Sequence, residues 1–108
     1  MTTLIEAYAE MNRRADVLAA TGCESAGDDM PVFETQVGTG ELRRDHVTLT
    51  QAERIAKLGR KTNVHLTVLG SRPEGTSSAF PTAAWFGGSA LLREHALLGR
   101  SVHVEVLP

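Results

Sequence analysis

Val64-His65-Leu66-Thr67-Val68-Leu69 runs directly into Gly70-Ser71-Arg72-Pro73-Glu74-Gly75-Thr76. β-Branched content and alternation make the first six residues a strand, with His65 and Thr67 forming its polar face. A glycine at the end of a strand lets the backbone come close to a phosphate. The exposed amides and the Ser71 hydroxyl can donate to phosphate oxygens, and Arg72 adds charge. A plain turn is the simpler reading of the same residues.

Upstream of this strand, Thr50 and Glu53 form a capping box, and Ala52, Ile55 and Leu58 supply an apolar stripe. The spacing predicts a compact helix that ends at Gly59, with Lys57 in its last turn. Further back, Thr3 and Glu6 form another capping box, followed by Leu4, Tyr8, Met11, Ala15 and Leu18 at steps of four and three. That pattern is a helix over 1–21 with one apolar seam, stopped at Gly22. The seam either covers the chain's own core or meets a partner, in which case Leu4, Tyr8, Met11 and Leu18 are its interface. Residues 22–31 read as a loop or hinge, and 32–37 as a short strand broken by Gly38-Thr39-Gly40.

Downstream of Pro81, residues 83–86 (Ala-Ala-Trp-Phe) read as a very short strand and Gly87-Gly88 as a turn. Residues 89–98 read as a helix stopped by Gly99. Val102-His103-Val104-Glu105-Val106 alternates strictly and is a strand. Together these elements predict an α/β domain over 1–108, with a small mixed sheet and about three helices. It divides into the first helix, the 22–31 loop and an α/β core over 32–108.

The order helix, strand, Gly-Ser, Arg-x-x-Gly-Thr resembles the opening of nucleotidyltransferase-fold proteins. Over residues 47–98 the chain is similar to the nucleotidyltransferase-like modules at the C-termini of bacterial polymorphic toxins. The residues that carry the likeness are Val68 to Arg72, Gly75-Thr76, Trp85, and Gly87-Gly88 followed by Ser89 and Arg93. The resemblance implies a minimal nucleotidyltransferase-like fold in which Gly70, Ser71, Arg72, Gly75 and Thr76 hold a nucleotide. It also implies an Asp-x-Asp pair around the tryptophan that binds magnesium. Here Ala84 and Phe86 flank Trp85, and neither offers an oxygen ligand. The family's later carboxylate position follows Gly99-Arg100 and falls on His103, with Glu105 two residues on as the remaining candidate ligand.

The resemblance therefore implies a degenerate domain of toxin or toxin-antitoxin type that does not catalyse nucleotidyl transfer but retains nucleotide or phosphate binding. The alternative is a non-catalytic antitoxin or inhibitor that works through its first helix. Its partner would then be a cognate toxin, an antitoxin or a target protein. Trp85, in a chain poor in aromatics, is a core residue or an anchor for a base or a protein.

Composition sets wider bounds. With 108 residues, 42% of them hydrophobic and 22% charged, one core is expected. No apolar run reaches membrane-spanning length, and a single cysteine, Cys23, forms no internal disulfide and no zinc pair. A cytoplasmic protein without a membrane partner is expected. Charge is uneven: residues 1–40 carry seven Asp/Glu, whereas 41–61 carry six Lys/Arg. The basic segment suits a phosphate-bearing ligand, a nucleic acid among them, or an acidic protein; a solvated helix face is the plain alternative. His65, His103 and Glu105 would suit zinc if their strands were neighbours. His46, His95 and Cys23 carry no catalytic pattern.

Overall fold

Alternation decides the sheet. In β2 (Val64–Ser71), Val64, Leu66, Val68 and Gly70 are buried, while His65, Thr67 and Leu69 are only half-buried. In the computed structural model, which describes residues 3–27, 29–71 and 81–107, β2 lies between β1 (Phe33–Gly38) and β3 (Val102–Leu107). Both neighbours run parallel to it, with Phe33 opposite Val64 and Val102 opposite Leu66. The α/β class is as expected. The sheet, however, is purely parallel among the described residues rather than mixed, because each connection between strands is a helical crossover and not a hairpin.

Among the described residues four α-helices, rather than about three, accompany the sheet: α1 (Leu4–Thr21), α2 (Thr39–Arg44), α3 (His46–Thr62) and α4 (Ala90–Leu97). α1, α2 and α4 all pack against α3, and α3 packs on β2, so the helices share one face of the sheet. The buried cluster lies between them and includes Met11, Ile55, Leu66, Val68, Phe86 and Leu92. The seam of α1 is used inside the chain. Leu4, Met11 and Leu18 are buried and the half-buried Tyr8 packs against the core, so the seam covers the chain's own core.

Caps account for the helix limits. Thr3 accepts from the Glu6 amide, and Gly22, at φ 73°, closes α1. α3 starts four residues before the expected Thr50, because Asp45 accepts from the Val47 amide and the Thr48 hydroxyl. Hydrogen bonding from the Thr48 hydroxyl first, then from the Val47 and Thr48 amides, holds the Asp45 carboxyl below its usual pKa. Thr50 lies inside the helix and donates to the His46 carbonyl. α3 also runs past Gly59 to an Asn63 cap in the left-handed region. Gly59 is there for packing. A Cβ would come 2.3 Å from the Val64 carbonyl oxygen and 2.7 Å from the Ser101 Cβ.

The segment between α1 and β1 is fastened to the end of α3. Arg14 is only 4% exposed, and its guanidinium donates to the carbonyls of Pro31 and Thr62 and to Glu10. The Ala26 amide donates to the Lys61 carbonyl, and the Asn63 side chain to the Met30 carbonyl. Hydrogen bonding by Arg13, joined by Arg14, outweighs partial burial and lowers the Glu10 pKa to about 2. A carboxyl depressed on folding adds stability above its unfolded pKa of about 4.5, and this is lost as the pH falls towards about 2. Urea titrations of the wild type and a Glu10→Gln variant should therefore show a stability difference above pH 4.5 that shrinks across that window.

Candidate functional site

Three places were expected to carry chemistry: the carboxyl end of β2, the polar face of the sheet, and the basic segment on α3. At the carboxyl end of β2, Gly70 points towards the helices. A Cβ on it would lie 2.7 Å from Thr39 Cγ2 and 2.9 Å from Trp85 Cζ2. The space that the glycine opens is thus filled by a threonine and an indole of the same chain, not left for a phosphate. The Trp85 ring nitrogen donates to the Ser71 carbonyl at 3.2 Å, and Trp85 is 1% exposed. It is a core residue, and stacking on a base or anchoring a partner is closed to it. Ser71 itself is exposed at the end of the strand. Arg72, Gly75 and Thr76 lie outside the described residues.

Residues 83–86 form a 3-10 turn rather than a strand, closed by Gly87 and Gly88 at positive φ. Gly87 has no room for a side chain, since its Cβ would meet the Leu42 carbonyl oxygen at 2.7 Å. Ala84 is exposed, while Phe86 is buried edge-on against Trp85. Neither flank of the tryptophan supplies an oxygen donor, and one of them faces the core. The residues present do not fit a magnesium site at Trp85.

On the polar face, the strand order does bring the two histidines together. The His65 and His103 rings stack with centroids 5.8 Å apart. Burial lowers the His65 pKa, and the nearby His103 adds to this against an opposing pull from Glu34. His65 also contacts the Asn63 side-chain oxygen at 3.3 Å. Glu105 does not complete a trio with these rings, and no group of three His, Cys, Asp or Glu residues suited to a metal occurs among the described residues. The exposed Glu34, Gln36, His103 and Glu105 belong to the side of the sheet away from the helices. Cys23 is exposed and unpaired.

The basic segment lines an open cleft. Lys57, Arg60 and Lys61 line a cleft of about 680 Å³ with Glu24, Ser25, Ala26, Gly27 and Asn63. The three cations are exposed, and among the described residues none of them makes an ion pair. Cations are favoured in the last turn of a helix by its dipole, which explains part of the cluster. The dipole does not explain the cleft. That arises because Ala26 ties the 24–27 loop to the Lys61 carbonyl and so raises a wall beside the side chains. The cleft sits at the amino end of β2, about 23 Å from Gly70 at ~3.3 Å per residue.

The charge asymmetry that marks α3 was legible in the sequence. The loop that completes the cleft was not, because a single long-range backbone hydrogen bond positions it. Ser89 was expected to begin a helix. It caps α4 and also donates to Glu53 at 2.8 Å, which links α4 to α3. Among the described residues no helix is long and apolar enough to cross a membrane. No protein-family model, curated protein or solved structure matches the chain.

Proposed function

We propose that the chain is a binding domain for a phosphate-bearing ligand, held by Lys57, Arg60 and Lys61 in the cleft beside the 24–27 loop. The observation that carries this reading is the convergence on one open cleft of three cations that, among the described residues, make no ion pair and share the lining with one acid, Glu24. Ammonium and guanidinium groups donate charge-assisted hydrogen bonds to phosphate oxygens, each worth roughly 1.5–3 kcal/mol. Ser25 and the Gly27 backbone are further donors on the facing wall.

A second reading keeps the degenerate nucleotidyltransferase-like domain, of toxin or antitoxin type, and places the ligand at Ser71. It is favoured by the exposure of Ser71 at the carboxyl end of a parallel strand, where α/β sheets commonly bind ligands. Calorimetric titration with ATP and with inorganic tripolyphosphate separates the two. Reversing charge in an Arg60→Glu/Lys61→Glu variant should weaken both ligands at least about tenfold, since ~1.4 kcal/mol is tenfold in affinity. Ser71→Ala should leave them unchanged. The opposite pattern would refute the cleft and support the strand end. Incubation with labelled ATP and magnesium should leave the chain and added RNA unlabelled.

A further inference from the structure

β3 is an edge strand, and its outward side carries a definite set of backbone groups. The Leu66 amide donates to the Ser101 carbonyl, and Leu66 is opposite Val102. In a parallel ladder this register directs the backbone N–H and C=O of residues 103 and 105 at β2. The same groups of Val102, Val104 and Val106 then point away from the sheet. Among the described residues no strand pairs with them. Natural edge strands are normally guarded by lysine, proline or a bulge. Val102-His103-Val104-Glu105-Val106 contains none of these; its one charged side chain is Glu105, and Val106 is 41% exposed.

The strand is also complementary to itself. Turned about Val104 and laid antiparallel on a second copy, it pairs Val104 with Val104, Val102 with Val106, and His103 with Glu105. The three valine positions are the ones with outward backbone groups, so they become the hydrogen-bonded pairs. The His103–Glu105 pairs fall at the intervening sites, where side chains come closest. Both imidazoles then meet a carboxylate, and the valines lie together on the helix-covered side. β1 has no such match. Its Phe33 amide donates to the Asn63 carbonyl, so Glu34, Gln36 and Gly38 point outward, and folding about Gln36 sets Glu34 against Gly38.

We infer that β3 is a homodimerisation edge. Two copies join antiparallel through Val102–Val106 into one six-stranded sheet, with a two-fold axis at Val104. The contact is isologous, so it closes at two subunits, and it uses none of the residues that line the Lys57–Lys61 cleft.

Sedimentation equilibrium tests the pairing on the full chain, which should weigh about twice its 11.6 kDa. Val106→Pro removes an outward amide that the chain's own sheet does not use, so the variant should fold and run as a monomer. His103→Glu places a carboxylate opposite each Glu105 and should weaken the dimer at least tenfold. The exchange His103→Glu/Glu105→His recreates both pairs and should restore it. A wild type that stays monomeric at millimolar concentration would overturn the assignment. So would a dimer that His103→Glu does not weaken, or one that the exchange fails to rescue.

Discussion

Phe86→Asp is expected to unfold the chain. Phe86 is fully buried, and its ring is part of the cluster that includes Trp85, Leu92 and Leu66. Removing a buried aromatic ring costs about 3–5 kcal/mol, and a carboxyl group in its place adds several more for burial without a partner. The sum exceeds ~5 kcal/mol, enough to cancel the whole stability of a small domain at the lower end of the ~5–15 kcal/mol range. Ala84→Asp, two residues away and exposed, should change stability by less than about 0.5 kcal/mol. Circular dichroism during urea titration reads both. The contrast matters because these positions flank the tryptophan where the resemblance places metal-binding aspartates. A double aspartate variant that folded and bound magnesium would show that the turn is a lapsed metal site. Collapse caused by Phe86→Asp alone would show that one half of the pair is a core position.

Gly70 and Trp85 should be coupled. Gly70→Ala places a methyl group 2.7 Å from Thr39 Cγ2 and 2.9 Å from Trp85 Cζ2, and overpacking of this kind costs about 1–3 kcal/mol. Trp85→Ala should cost about 3–5 kcal/mol through the cavity it leaves and the lost hydrogen bond to the Ser71 carbonyl. In the double variant the methyl group enters space vacated by the indole. The combined loss should therefore be smaller than the sum of the two by at least about 0.5 kcal/mol, the lower end of the range for residues in contact. If the glycine served a ligand instead, Gly70→Ala would leave stability alone and reduce binding, and the two losses would add.

The parts of the fold set by local periodicity were legible before the structure. β2 and β3 follow the alternation of Val64–Leu69 and Val102–Val106, and α1 follows its seam between Thr3 and Gly22. Misreadings arose where two local signals competed or where distant contacts decided. Thr50 and Glu53 satisfy a capping pattern, yet Asp45 offers the stronger cap, and Thr50 is content donating back to His46. The 83–86 stretch has strand-like aromatics. Its conformation is instead set by Gly87 pressed against the Leu42 backbone, a contact that periodicity does not record. The seam of α1 is equally regular whether it meets a partner or α3, and only the tertiary arrangement distinguishes the two.

The candidate site divides the same way. Charge asymmetry marked Lys57, Arg60 and Lys61 as a basic cluster, and the neighbouring strand's Gly70-Ser71 drew attention to its far end. What moved the site was packing. Thr39 and Trp85 occupy the space over Gly70, and the 24–27 loop closes beside the α3 cations. Glycine after a strand has two physical uses, close approach of a ligand and close approach of the chain's own side chains, and sequence does not separate them.

Amide chemical-shift mapping during titration with inorganic tripolyphosphate tests the central claim most directly. The account predicts that the largest changes fall on Ser25 to Gly27 and Lys57 to Asn63, with Gly70 and Ser71 still. Changes centred on Gly70, Ser71 and Thr39, with the α3 end unmoved, would contradict it.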